Sequence, residues 1–139
     1  MERYLTNNKE SFVIISAELS TLTPKENELR TRALQRNLDY SEIPYKKVTG
    51  VYKGTEEVSF LVITAGVPWP LVEQFKQESA LFVGKEREAI LHYNNSFKAY
   101  GDIKFPERVG TFQVVSEARA KQQDCYTYDH EKNLYYICE

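Results

Sequence analysis

The chain has 139 residues and carries a net charge of −2. That length suits one domain and buries roughly two-thirds of the unfolded surface, so no metal or disulfide is needed to fold it. The balance of 18 basic and 20 acidic residues excludes a broad basic surface of the kind that holds nucleic acid by counterion release. Aromatics reach 13%, with 10 Tyr and 7 Phe, which leans toward sheet.

The segment Met1–Ser11 is polar and lacks the apolar centre of a signal peptide. No run of about 18 apolar residues occurs, so no membrane-spanning helix is expected and a cytoplasmic protein is. Ser11–Leu19 opens with four consecutive apolar residues and reads as a strand covered on both faces. Thr23-Pro24-Lys25-Glu26 is a helix start, with Thr23 as N-cap, Pro24 in the first turn and Glu26 closing a capping box. The helix should run to about Leu38 with Leu29, Ala33, Leu34 and Leu38 as its apolar stripe.

Tyr45–Tyr52 and Glu57–Thr64 read as a hairpin around Lys53-Gly54-Thr55-Glu56. Gly50, inside the first of these strands, signals a bulge or a close approach to the backbone. Gly66-Val67-Pro68-Trp69-Pro70 leads into a short second helix. Strands follow at Ser79–Val83 and Glu88–Tyr93. The region from Phe97 to Val115 reads as one or two strands, and Ser116–Gln123 as a helical turn or a loop. Cys125–Cys138 reads as a hairpin in which Cys125 faces Cys138 and Tyr128 faces Tyr135.

The order β-α-β-β-α-β matches the split β-α-β, or ferredoxin-like, pattern. The expected fold is therefore α+β. Residues 11–93 would form its core, and 97–139 would add antiparallel strands within a single domain.

Motifs with defined chemistry are absent. Neither His92 nor His130 has metal-spaced partners. There is no nucleophile elbow, Walker A loop or G-x-G-x-x-G. The strand Val58–Ile63 lacks the aromatic pattern of an RNA-recognition motif. No catalytic residue, metal or cofactor is expected. Between Lys25 and Lys53 seven basic residues meet four acids, which suits a solvated face or a small anion site.

Several polar residues recur in a fixed order. Phe12-Val13-Ile14-Ile15-Ser16-Ala17 precedes Asn27 and Arg30 on the helix. Gly50, Tyr52, Gly54, Glu57 and Ser59 follow on the hairpin, and then Gln77-Glu78-Ser79-Ala80. Over about residues 11–84 this resembles a family of short uncharacterised bacterial and phage proteins, a domain of unknown function. The resemblance implies a phage context and directs attention to Ser16, Asn27, Arg30, Tyr52, Glu57, Ser59 and Gln77. These fit either a buried polar network fixing helix to hairpin, or a small pocket with Arg30 as anion ligand.

On this basis the sequence suggests a non-enzymatic binding protein. It would be a phage accessory protein that inhibits a host factor or sequesters a small phosphorylated ligand. Two other readings stay open: a small enzyme acting on a nucleotide or nucleic acid through Arg30, Glu57 and Tyr52, and an oligomer-forming module such as a homodimer.

Overall fold

The computed structural model describes residues 10–96 and 98–139. The strands are β1 (Phe12–Ser16), β2 (Tyr45–Tyr52), β3 (Thr55–Ile63), β4 (Ser79–Val83), β5 (Glu88–Tyr93), β6 (Glu107–Val115), β7 (Cys125–Asp129) and β8 (Leu134–Cys138). Helix α1 (Pro24–Tyr40) lies between β1 and β2, α2 (Trp69–Gln74) between β3 and β4, and the single turn α3 (Glu117–Ala120) between β6 and β7.

These strands close into a barrel in the order β1-β3-β2-β7-β8-β6-β5-β4, with every neighbouring pair antiparallel. The expected open ferredoxin-like sheet of an α+β fold is thus corrected to a closed eight-stranded antiparallel barrel, mostly sheet with few helices. The elements of the first half do occur in the expected order. What differs is the fate of their free edges. β2 pairs with β7 and β4 pairs with β5, so the C-terminal strands join both edges instead of covering a face. Closure removes the exposed N–H and C=O groups an open sheet would present.

Closure also divides the apolar residues into two clusters by strand alternation. Val13, Ile15, Ala17, Phe60 and Val62 point outward and are covered by Leu34 and Leu38 of α1 and by Val72 and Phe75. Phe12, Leu61, Val83, Ala89, Phe112 and Tyr136 point inward and fill the lumen, with Phe112 stacked on Tyr136 at 4.9 Å.

Local signals explain the elements. Thr23 caps α1, its side chain accepting from the Glu26 N–H while the Glu26 carboxylate accepts from the Thr23 N–H. The buried residues of α1 are Thr31, Leu34 and Leu38, whereas Leu29, expected in the stripe, is 56% exposed. The turn between β2 and β3 is tighter than expected. Only Lys53 and Gly54 lie outside the ladder, with φ of 49° and 83°, as a two-residue hairpin turn demands. The β7–β8 hairpin places Tyr128 opposite Tyr135, as expected. Among the described residues, no helix is long and apolar enough to cross a membrane.

Candidate active site

Residues directly opposite in an antiparallel ladder share a face. The inward face of β1 and β3 runs from Phe12 and Ile63 through Ile14 and Leu61 to Ser16 and Ser59. Glu57 continues that face on β3. Its partner on β2 is Gly50, and Gly50 also pairs with Thr127 on β7. On β4 and β5 the same face ends in Ser79 opposite Tyr93. Along β1 and β3 the lumen face therefore changes from apolar at one end to a mouth lined by Ser16, Ser59, Glu57, Ser79, Thr127 and Tyr93. Tyr52 stands at the rim, 61% exposed; across the mouth the Tyr93 pKa is raised, first by burial, then by the Glu107 carboxylate, and least by Tyr52.

Side chains hold this end of β1 in place. Beyond Ser16 the backbone ladder with β3 stops. The Ser16 hydroxyl then donates to the Val58 carbonyl at 2.9 Å, and the Glu18 carboxylate accepts from the Val58 N–H at 2.6 Å. The Glu18 N–H donates back to Ser16 Oγ at 3.1 Å. A carboxylate thereby replaces a missing strand partner, which is a strong charge-assisted bond.

Asn27, Arg30 and Gln77 work behind it. Asn27 grips Leu19 with both ends of its amide, accepting from the N–H at 2.9 Å and donating to the carbonyl at 3.0 Å. Arg30 Nε donates to the Ala17 carbonyl at 2.7 Å, its terminal nitrogen donates to the Phe75 carbonyl, and its guanidinium lies over the Phe75 ring. Gln77 Nε2 donates to the carbonyls of Glu18 and Phe75 at 3.1 and 3.2 Å. These three side chains fix the segment from Ala17 to Leu19 that carries Glu18.

Of the seven residues singled out from sequence, the structure thus gathers Ser16, Tyr52, Glu57 and Ser59 at the mouth. Asn27, Arg30 and Gln77 lie outside the lumen on backbone carbonyls and amides. Glu18 and Tyr93 were missed. A carboxylate two residues past an apolar strand was the available signal for Glu18. For Tyr93 only barrel closure reveals the position.

Glu57 is the distinctive group. Among the described residues its carboxylate has no hydrogen bond or ion pair. Burial, followed by repulsion from Glu18, raises its pKa above the ordinary value of 4.5. Gly50 leaves the space beside it open: a Cβ there would lie 3.0 Å from Ser59 Oγ and 3.8 Å from Glu57 Cγ. Both strand ladders run through Gly50 in register, so the glycine serves close approach and not a bulge.

Other chemistry finds little support. Among the described residues, no group of three His, Cys, Asp or Glu could hold a metal. His92 packs edge-on against Trp69 and Phe82 outside the barrel, and His130 meets Thr49 and Tyr128. Cys125 and Cys138 are free thiols. Burial raises both pKa values, that of Cys138 to about 11, so neither is an activated nucleophile.

The mouth is thus anionic, aromatic and partly desolvated, a combination suited to a cationic ligand. No curated protein matches the chain. The family model described as the S-Adenosylmethionine lyase family matches residues 13–139. This named family supersedes the resemblance to an uncharacterised one, and it removes the basis for a non-enzymatic accessory protein or host-factor inhibitor. Matched from the second residue of β1 through the last residue of β8 and beyond, the chain belongs to the S-adenosylmethionine lyase family.

Proposed function

We propose that the protein is an enzyme that cleaves S-adenosylmethionine at its sulfonium, with the reaction taking place in the barrel mouth. The observation that carries this reading is the unpaired carboxylate of Glu57, held opposite Gly50 in a lumen that ends in serines and tyrosines. A sulfonium is a permanent cation that cannot shed its charge by losing a proton. A carboxylate and aromatic faces are the groups that stabilise it without hydrogen bonding. Glu57 and Glu18 supply the negative charge, while the rim rings of Tyr52 and Tyr93 already lie under lysine ammonium groups.

The chemistry follows from that charge. Heterolysis of a C–S bond returns the electron pair to sulfur and leaves a neutral thioether. The carbon that loses sulfur must then be satisfied within the substrate, by loss of a neighbouring proton or by attack of the substrate's own carboxylate. Neither route consumes water. A partly desolvated mouth favours the step because positive charge disappears as the bond breaks. Glu57, with its raised pKa, is the group placed to orient the substrate or to take a proton.

Mass-resolved analysis of S-adenosylmethionine after incubation with the purified protein tests this. The expected products are a thioether and a complementary fragment whose masses sum to that of the substrate, with no oxygen gained from labelled water. Unconsumed substrate, or label in the first-formed fragment, would sink the reading.

A further inference from the structure

Five and eleven residues past Tyr93, Lys98 and Lys104 return to the mouth on a short loop and bring two cations with them. Asn95 closes this loop at its base. Its side-chain Nδ2 donates to the Lys104 carbonyl at 2.9 Å, and its Oδ1 accepts from the Lys104 N–H at 3.0 Å. The Lys98 N–H donates to the Asn95 carbonyl at 3.2 Å. The loop is moored to the body by Ser96, whose hydroxyl donates to Glu73 at 2.6 Å, and by Asn94, whose side chain donates to the Gln77 carbonyl at 3.1 Å.

This closure places Lys98 Nζ 5.8 Å and Lys104 Nζ 5.1 Å from the centre of the Tyr93 ring. Neither ammonium forms an ion pair with a described residue. Two like charges on one ring repel each other, and with the nearby carboxylate, Glu107, bonded to the Tyr93 hydroxyl, a further anion between the two ammonium groups relieves that repulsion. The mouth thus carries Glu57 and Glu18 deep on the β1–β3 side, while its β5 rim carries two ammonium groups with no ion pair among the described residues and one carboxylate, Glu107, which accepts from the Tyr93 hydroxyl at 3.5 Å.

We propose that Lys98 and Lys104 form the subsite for the α-carboxylate of the substrate, so that the mouth selects sulfonium nucleosides carrying an intact amino-acid arm. The assignment rests on the S-adenosylmethionine reading given above. In this arrangement the sulfonium faces the deep carboxylates and the α-carboxylate the two ammonium groups, and the α-ammonium on the same carbon is met by Glu107, the acid bonded to the Tyr93 hydroxyl.

Calorimetric titration of S-adenosylhomocysteine and of its decarboxylated form tests this, because both are thioethers and present no sulfonium to cleave. Wild type should prefer the carboxylate-bearing ligand by about tenfold or more, the scale of one charged hydrogen bond. The Lys98→Met/Lys104→Met double variant, with circular dichroism confirming its fold, should bind both within about twofold. It should bind the decarboxylated ligand as wild type does. A double variant that keeps the preference, or a wild type that shows none or binds neither ligand, overturns the proposal. Consumption of S-adenosylmethionine by the same samples is read separately. Preference without consumption rejects the lyase reading and leaves the lysine subsite standing. Consumption without preference rejects the subsite alone.

Discussion

Gly50 stands directly across the β2–β3 ladder from Glu57, and the missing side chain is what leaves that carboxylate a free approach. Gly50→Val should therefore fold but lose at least tenfold in turnover, because the new methyl groups occupy the space between Ser59 and Glu57. Overpacking of this kind costs about 1–3 kcal/mol. Thermal denaturation beside an activity assay checks both effects, and a fully active Gly50→Val would place substrate elsewhere.

Glu57 should set the acid limb of the pH–rate profile. Its pKa is raised by burial and by Glu18, so activity that needs the carboxylate falls at a pH above 4.5. Glu57→Gln removes that limb. The stability consequence has the opposite sign. An acid whose pKa is raised on folding binds more protons when folded, so it lowers stability as pH rises from 4.5 through the folded value. Glu57→Gln should therefore melt higher than wild type at pH 7, with the gap closing at pH 4. A wild type that melts higher than the variant at pH 7 would contradict the raised pKa.

Inside the barrel away from the mouth, Lys46 and Asp129 form a buried ion pair at 2.7 Å, with side chains 1% and 0% exposed. Burial alone would lower the Lys46 pKa, but Asp129 and then Glu131 reverse this and raise it above 10.5. The pair's stabilisation is thus fully present below pH 10.5 and is lost as pH climbs through the higher folded value. Lys46→Met should cost about 3–5 kcal/mol by leaving Asp129 buried and unpaired. Lys46→Met/Asp129→Leu should recover most of that in a denaturant titration. A single variant as stable as wild type would show that the pair is not closed in solution.

Arg30 acts on the site through the backbone. Arg30→Ala removes two bonds to carbonyls and the contact with Phe75, which should cost about 2–4 kcal/mol. Activity should fall with it, since Ala17–Leu19 carries Glu18. Arg30→Lys, which cannot span both carbonyls, should rescue only part. A fully stable Arg30→Ala with normal turnover would count against this support role.

Much of the local structure was legible in the residues. The capping box at Thr23 and Glu26, the glycine turn after β2 and the Tyr128–Tyr135 pairing each depend on neighbours close in sequence. Barrel closure does not. It rests on pairings such as Gly50 with Thr127, and strands that will close a barrel alternate just as strands that will cover a face do. Closure also decides which residues meet at the site. A pocket joining Arg30 to Glu57 needs both on one side of the sheet, whereas the barrel places Arg30 behind the wall and Glu57 inside it. Tyr93 became a site residue only because β5 curves round to face β2.

Turnover should depend above all on Glu57 as the working carboxylate of the mouth. The most direct measurement is the initial rate of S-adenosylmethionine consumption by wild type and by Glu57→Gln at neutral pH, with circular dichroism confirming both folds. The expected result is a fall of about a hundredfold or more in turnover, the usual scale for removing a positioned acid or base. A Glu57→Gln protein that works within twofold of wild type would contradict it.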